Sequence, residues 1–136
     1  MLVEEHGVPL SIIVAGANAH DVTQVENVLR SVVLAPPKKA TKHLCADKGY
    51  DGQAARETMV HYGYVPHIRS RGQEAAAKRC RRGGKARRWI VESVHSWFNR
   101  FRKILVRYEK TLSSYLALLH LAAAIICWRK VAVIYG

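Results

Sequence analysis

The stretch HLCADKGYDGQAARETMVHYGYVPHI, residues 43–68, decides the fold because it carries the signals for strand, helix and strand in succession. His43 to Ala46 is a short apolar run, which predicts a buried strand followed by a sharp turn. Gln53 to Tyr62 predicts a helix, and Gly63 stands where a helix C-cap adopts left-handed backbone. Tyr64 to Ile68 predicts a second strand. This β-α-β succession is typical of mixed α/β folds.

The residues before this stretch predict a β-hairpin and a helix. Met1 to Val3 and Pro9 to Ala15 are mostly apolar runs on either side of His6-Gly7, as in two strands joined by a turn. Asp21 is placed to cap a helix, because apolar residues follow it at helical spacing. Those residues are Val22, Val25, Val28, Leu29 and Val32.

Two further helices are predicted after a polar, basic connection at residues 69–84. The first runs from Lys85 to about Lys103, where Trp89, Val91, Val94, Trp97, Phe98 and Phe101 recur mostly every three or four residues. The second runs from about Thr111 to Arg129. Its segment Leu112 to Trp128 is apolar but falls short of the roughly 20 residues that a bilayer core requires. We therefore expect a buried core helix there and no membrane span.

A chain of 136 residues is the size of one small domain with a single core. We expect residues 1–68 to form its hairpin and β-α-β part, residues 69–84 the basic connection, and residues 85–136 its C-terminal helices. Hydrophobic residues make up 49% of the chain and charged residues 24%, which excludes wholesale disorder and a fibrous class.

The charge of the chain indicates a polyanionic partner. Lys and Arg number 22 against 10 Asp and Glu, which leaves a net charge of +12. Residues 78–88 are the densest basic run and predict sequence-tolerant phosphate contacts, although a solvated charge run is the alternative. The candidate DNA contacts in this run are Arg79, Arg81, Arg82, Lys85, Arg87 and Arg88.

Cysteine and histidine spacing predicts no metal centre. The three cysteines, Cys45, Cys80 and Cys127, lie far apart with no CxxC pair, which argues against a zinc site and against a disulfide framework. We therefore expect a reduced, cytoplasmic setting, and the N-terminus has no pattern of an export signal. Five histidines share no ligand spacing and are interpreted as core or surface residues: His20, His43, His67, His95 and His120.

Two carboxylates stand out as candidates for chemistry. Asp47 follows the predicted strand directly, and Glu92 lies inside a predicted helix. Mg²⁺ prefers oxygen ligands, and two-metal phosphoryl transfer uses carboxylates from separate elements. The alternatives are a turn-forming aspartate and a glutamate that pairs with neighbouring basic residues. The residue pattern alone leaves both interpretations open.

Several runs resemble the signature motifs of insertion-sequence transposases. Ala46 to Asp51, ADKGYD, resembles their second-aspartate motif, and Arg87 to Ser93 with Trp97 to Arg102 resembles their glutamate motif. Further stretches agree in order along the chain: Gly7 to Leu10 with Ala17 to Asp21, and Arg107 to Lys110 with Ile126 to Arg129. The chain therefore resembles DDE transposases, most closely the group named after insertion sequence five.

This resemblance implies an α/β, ribonuclease-H-like fold with a mixed sheet flanked by helices. It also implies an enzyme that binds two Mg²⁺ (or Mn²⁺) ions, cuts transposon ends and joins them to target DNA. Asp47 matches the second metal aspartate, Glu92 the metal glutamate, and Arg88 a basic position of the glutamate motif. The family's glutamate motif also has a tyrosine before the arginine and a lysine after the glutamate. Lys85 occupies the tyrosine position in this chain. Asn99 replaces the lysine, so Arg100 and Lys103 are assigned the terminal-phosphate contacts.

The family's first aspartate has no match in this chain. Glu4 and Glu5 lie on the wrong strand, and Asp21 is interpreted as a helix cap. We therefore expect the first strand of the sheet to be missing and the chain to be inactive alone. The alternatives are a non-catalytic DNA-binding remnant that regulates transposition, alone or assembled with itself or a full-length transposase, and a basic membrane-associated protein.

Overall fold

A computed structural model describes residues 1–34, 40–68 and 88–135, with backbone only for Arg88, Ile134 and Tyr135. The chain is a mixed α/β protein with two small sheets and several helices. It divides into two compact units, one formed by Met1–Val14 with Trp89–Gly136 and the other by Ala15–Arg88. The predicted connection at residues 69–84 lies outside the described residues.

The Ala15–Arg88 unit contains the predicted β-α-β arrangement. Strand β3 (Lys42–Ala46) pairs in parallel with strand β4 (Tyr64–Ile68), and helix α2 (Gln53–His61) connects them. The register runs from Lys42 opposite Tyr64 to Ala46 opposite Ile68. Gly63 has φ +76° and its N–H donates to the Val60 carbonyl at 2.8 Å, so the glycine ends α2 in left-handed backbone as predicted, one residue after the cap residue Tyr62.

One face of this sheet supports the core of the unit. Helix α1 (Val25–Arg30) contacts α2, and α2 contacts β4. The buried residues are Val25, Leu29, Leu44, Ala55, Met59 and Ile68. A buried strand was predicted over His43 to Ala46, and the burial is confirmed for one face only. Only Leu44 is buried, whereas His43 and Cys45 are exposed, because alternate residues of a strand point to opposite faces.

The predicted cap at Asp21 is also wrong. A 3-10 turn, Asp21–Gln24, precedes α1, and its N-cap residue is His20, which makes no side-chain cap hydrogen bond. Asp21 is instead the first residue of the turn. The helix that was predicted to continue to Val32 ends at Arg30, and Pro36-Pro37 lie outside the described residues.

The other unit, called the hairpin unit below, begins with the predicted hairpin. Strand β1 (Leu2–Val3) pairs antiparallel with strand β2 (Pro9–Ser11), which is shorter than the predicted run to Ala15. Gly7 closes the turn with φ +85°, and its N–H donates to the Glu4 carbonyl at 2.9 Å. Glycine adopts this left-handed backbone without the steric cost that a Cβ brings.

Three helices complete this unit: α3 (Arg88–Phe98), α4 (Arg102–Leu105) and α5 (Leu112–Tyr135). The helix predicted to continue to Lys103 ends at Phe98, because Phe101 has extended backbone (φ −87°, ψ 103°) and serves as the N-cap of α4. The core of the unit consists of Val94, Phe98, Leu119, Ala122 and Ile126.

Helix α5 was predicted to be a buried core helix, and this is confirmed for one face only. Leu119, Ala122 and Ile126 are buried, whereas Leu121 is 59% and Trp128 78% exposed. By length and composition, Leu112–Val133 is also the one helix among the described residues that is able to cross a membrane. A helix that supplies half of a protein core passes the same test, so this is weak evidence for a span.

We predict that Gly7→Ala destabilises the hairpin unit by at least about 2 kcal/mol. Left-handed backbone costs an L-residue about 1–2 kcal/mol, and a Cβ at this position meets Trp97 Cη2 at 2.9 Å. Urea unfolding followed by tryptophan fluorescence measures the loss, since Trp89, Trp97 and Trp128 all belong to this unit.

Gly49→Ala is the matched control, because nothing lies within 4 Å of a Cβ there and Gly49 does not have positive φ. This control is expected to leave the fluorescence transition where it is. Equal midpoints for the wild type and Gly7→Ala would contradict the close packing of Gly7 against Trp97.

Candidate active site

Asp47 is held at the carboxyl end of β3 by the turn that follows it. Its backbone is extended (φ −69°, ψ 159°), and its Oδ1 accepts a hydrogen bond from the Lys48 N–H at 2.6 Å. The Tyr50 N–H donates to the Asp47 carbonyl at 2.9 Å and closes a 3-10 turn, Lys48–Tyr50. The parallel strand therefore fixes the position of Asp47, and the turn orients its exposed carboxylate.

A second carboxylate, that of Asp21, acts on Tyr50 in the turn after Asp47. The pKa of the Tyr50 hydroxyl is raised above its ordinary value, first by burial and then by the negative charges of Asp21 and Asp47. The turn that starts at Asp21 contacts the turn that ends at Tyr50. Asp21 therefore contributes negative charge beside the Asp47 turn, which the sequence analysis missed when it interpreted Asp21 as a helix cap.

Asp51, the last residue of the ADKGYD run, is held by a neighbouring arginine. Its Oδ1 accepts from Arg56 Nη2 at 2.6 Å and from Arg56 Nε at 3.2 Å. Arg56 also donates from Nη2 to the Ile68 carbonyl at 3.2 Å. This network ties the turn after β3 to α2 and to the end of β4. Asp51 therefore stabilises the frame that carries Asp47.

Glu92 lies on the exposed side of α3. The same helix buries Val94 completely and leaves Phe98 only 5% exposed, so its orientation is fixed by the core of its unit. The carboxylate is therefore presented by a packed helix and not by a loop. Asp47 and Glu92 belong to different compact units, Asp47 to the Ala15–Arg88 unit and Glu92 to the hairpin unit.

A cavity of about 260 Å³ lies in the hairpin unit beside α3. Lys130 Nζ stands 4.3 Å from the centroid of the Trp97 ring, within the range of a cation–π interaction. The residues that line the cavity are Glu5, His6, Gly7, Trp89, Ile90, Ser93, Trp97, Lys130 and Val133. Trp97 is partly buried and packs against the core of this unit, whereas Trp89 is 54% exposed.

The described part of the chain contains few of the predicted DNA contacts. Arg100 is exposed in the turn between α3 and α4, and Lys103 is exposed in α4. Arg88 is the first residue of α3, with only its backbone described. The other predicted contacts, Arg79, Arg81, Arg82, Lys85 and Arg87, lie outside the described residues.

The donor chemistry of the two candidate carboxylates fits a hard divalent cation. Asp47 and Glu92 both offer exposed oxygen atoms, which Mg²⁺ and Mn²⁺ prefer over nitrogen and sulfur. Separately, Glu4, Glu5 and His6 bring three potential ligand atoms within 4.8 Å of one another in the hairpin turn. His6 Nδ1 already contacts Glu4 Oε1 at 2.6 Å, so a hydrogen bond within the turn accounts for part of that group.

Comparison with known families decides the identity of the chain. The family described as transposase DDE domain matches residues 44–129, well over half of the sequence. The chain belongs to this transposase family. The match includes both Asp47 and Glu92, which the sequence analysis selected as the candidate carboxylates.

A curated relative agrees with the family assignment. A transposase for insertion sequence element IS402 from Burkholderia cepacia is 30% identical over 133 residues. The alignment covers 94% of this chain and 61% of the relative, so the chain spans about three fifths of the relative's length. No solved structure matches. The predicted resemblance to DDE transposases is therefore confirmed at the level of the family.

The family match bears on the chemistry expected of the two candidate carboxylates. DDE transposase domains act on DNA and generally use divalent metal ions. The exposed carboxylates of Asp47 and Glu92 agree with that requirement in their donor type. Two contacts could not be predicted from sequence spacing, the cation–π contact of Lys130 with Trp97 and the hydrogen bond between His43 and His67, because each joins residues far apart in the sequence.

We predict that Asp21→Asn and Asp47→Asn each lower the pKa of Tyr50. Both carboxylates disfavour the phenolate, so removal of either negative charge makes ionisation easier. Tyrosine-selective ¹³C NMR during an alkaline titration measures the shift for this one residue.

Glu57→Gln serves as the control, because Glu57 is an exposed carboxylate of α2 and does not contribute to the Tyr50 shift. An unchanged Tyr50 pKa in Asp21→Asn would show that Asp21 does not act on this turn.

Proposed function

We propose that this transposase domain takes part in metal-dependent cleavage of transposon ends and transfer of the freed strand to target DNA. The observation that carries the proposal is Asp47, fixed at the end of a parallel strand inside the family match. The exposed Glu92 on a core-packed helix of the same match supports it. The family also supports a ribonuclease-H-like fold, and the motif order supports the group named after insertion sequence five.

Asp47 and Glu92 are the proposed metal ligands of this reaction. Mg²⁺ or Mn²⁺, two ions in the complete enzyme, would stabilise charge on the attacking and leaving oxygens. The Lys48 N–H holds one oxygen of Asp47 at 2.6 Å and so limits rotation of the carboxylate before any ligand binds. Such preorganisation matters because small misplacements of a catalytic group are costly.

The basic residues are proposed to hold the DNA backbone. Arg100 and Lys103 are exposed, and long cationic side chains contact phosphates without reading sequence. The same role is proposed for Arg79, Arg81, Arg82, Lys85, Arg87 and Arg88. A net charge of +12 favours such contacts, and their affinity should fall steeply with salt.

We propose that cleavage and strand transfer require a third metal-binding carboxylate in addition to Asp47 and Glu92. No residue of this chain matches the family's first aspartate, so the chain alone is expected to be inactive. Asp21 contributes charge near Tyr50, but it belongs to the turn before α1 and does not match that position.

The test is strand cleavage and joining on transposon-end DNA with Mg²⁺ or Mn²⁺. The chain alone is compared with a chimera that adds the part of the IS402 relative outside the alignment. We expect activity in the chimera only, with a loss of roughly a hundredfold or more in Asp47→Ala and in Glu92→Ala, since removal of one group that stabilises developing charge costs about that much. Glu57→Ala, an exposed carboxylate outside the proposed site, should retain full activity. Activity that persists in Asp47→Ala would refute the assigned role.

The second candidate function is a non-catalytic, DNA-binding regulator of transposition. The missing match to the first aspartate favours it, together with the net charge of +12. Such a protein would occupy DNA ends or assemble with itself or a full-length transposase. Inactivity of both the chain and the chimera, with salt-sensitive DNA binding retained, would favour this function over the first.

A further inference from the structure

The face of the β3–β4 sheet opposite the core carries three residues with metal-binding chemistry. In the parallel register, Cys45 lies directly opposite His67, and His43 lies opposite Val65. Alternate residues of a strand share a face, so His43, Cys45 and His67 all project from the same side. All three are exposed, whereas Leu44 and Ile68 are buried on the opposite side.

The two imidazole rings are already in contact. His43 Nδ1 and His67 Nε2 are 2.8 Å apart, and the ring centroids are separated by 5.0 Å at an interplanar angle of 39°. A tetrahedral ion with metal–nitrogen bonds of about 2.0–2.1 Å holds two nitrogens roughly 3.4 Å apart. A small rotation of either ring therefore opens the hydrogen bond to a distance that an ion can bridge.

Cys45 supplies a third potential ligand from the neighbouring position. Adjacent strands lie about 4.8 Å apart, so a residue directly opposite His67 has its Cβ close to that side chain. The present rotamers do not bring all three ligand atoms within 4.8 Å, since in the described residues only Glu4, Glu5 and His6 do so. Rotation about the Cα–Cβ bond of the exposed Cys45 moves its sulfur relative to the histidine pair.

We propose that His43, His67 and Cys45 form a binding site for a zinc-type divalent cation. Two imidazole nitrogens and a thiolate are soft or intermediate ligands, which select Zn²⁺ over Mg²⁺ and leave a fourth position for water or a further ligand. The site is distinct in chemistry from the carboxylates proposed for catalysis. Cysteine spacing along the chain argued against zinc, but the three ligands come together through strand pairing.

Binding of the ion would have a structural consequence. His43 and Cys45 belong to β3, and His67 belongs to β4, so a shared ion cross-links the two strands. The link lies immediately before Asp47 at the end of β3. Because a ligand that binds only the folded state stabilises it, occupancy should raise the unfolding midpoint of this unit.

The test is titration of the untagged 136-residue chain with Co²⁺, a spectroscopic substitute for Zn²⁺. We expect one equivalent to bind with thiolate-to-cobalt absorption, and Zn²⁺ to displace it. His43→Gln and His67→Gln should each weaken binding at least roughly tenfold, because even residues that only support metal ligands contribute about that much. Cys45→Ser should abolish the thiolate band, and Zn²⁺ should raise the unfolding midpoint of the wild type.

Matched variants separate this site from the other candidates. His61→Gln changes an exposed histidine of α2, Cys127→Ser changes the partly buried thiol of α5, and Glu4→Gln changes the hairpin group. None of these should affect the titration. If a histidine variant fails to fold, Cys45→Ser still tests the site, because Cys45 is exposed and its exchange leaves the core unchanged. Absence of stoichiometric Co²⁺ binding, or a thiolate band that survives Cys45→Ser, would overturn the proposal.

Discussion

The parallel pairing of β3 with β4 is the constraint on which the described Ala15–Arg88 unit depends. Parallel neighbours need a crossover connection, and α2 provides it while covering one face of the pair. The pairing buries Leu44 and Ile68 against the helices. It also fixes the point at which β3 ends, and Asp47 is the residue that stands there. A shift of one residue in this register would move both the core and the exposed histidines to the wrong faces.

The two candidate carboxylates are supported in different ways. Asp47 depends on a strand end, a backbone hydrogen bond and a turn that Asp51 and Arg56 tie to β4. Glu92 depends on the packing of α3, whose residues Val94 and Phe98 are buried in the hairpin unit. Both arrangements use a rigid element to present a charged group at the surface, which is how binding and catalytic residues are commonly positioned.

The sequence predicted the elements with strong local signals. Strand β4 and the glycine that ends α2 agree with the structure because β-strand propensity and left-handed glycine are local properties. The ends of other elements were missed where tertiary contacts decide them, as at Phe101, whose extended backbone ends the long predicted helix. The burial of β3 was overestimated because a short apolar run does not reveal which faces are covered.

The candidate site was predictable only through motif order. An aspartate after a strand and a glutamate in a helix are common, and neither position alone distinguishes a metal ligand from a turn or an ion pair. The family match over residues 44–129 decides the class of protein. The contribution of Asp21 near Tyr50 and the contact between His43 and His67 depend on packing between distant residues, which spacing along the chain does not encode.

Asp47 and Glu92 are each proposed to be a ligand of divalent metal in this transposase domain. Isothermal titration of Mn²⁺ into the chimera bound to its DNA measures the metal affinity that each carboxylate contributes, without requiring turnover. Asp47→Asn and Glu92→Gln are each predicted to weaken the tightest Mn²⁺ site at least roughly tenfold, with Glu57→Gln unchanged. Wild-type Mn²⁺ affinity in either of the first two variants would contradict the assignment of that carboxylate.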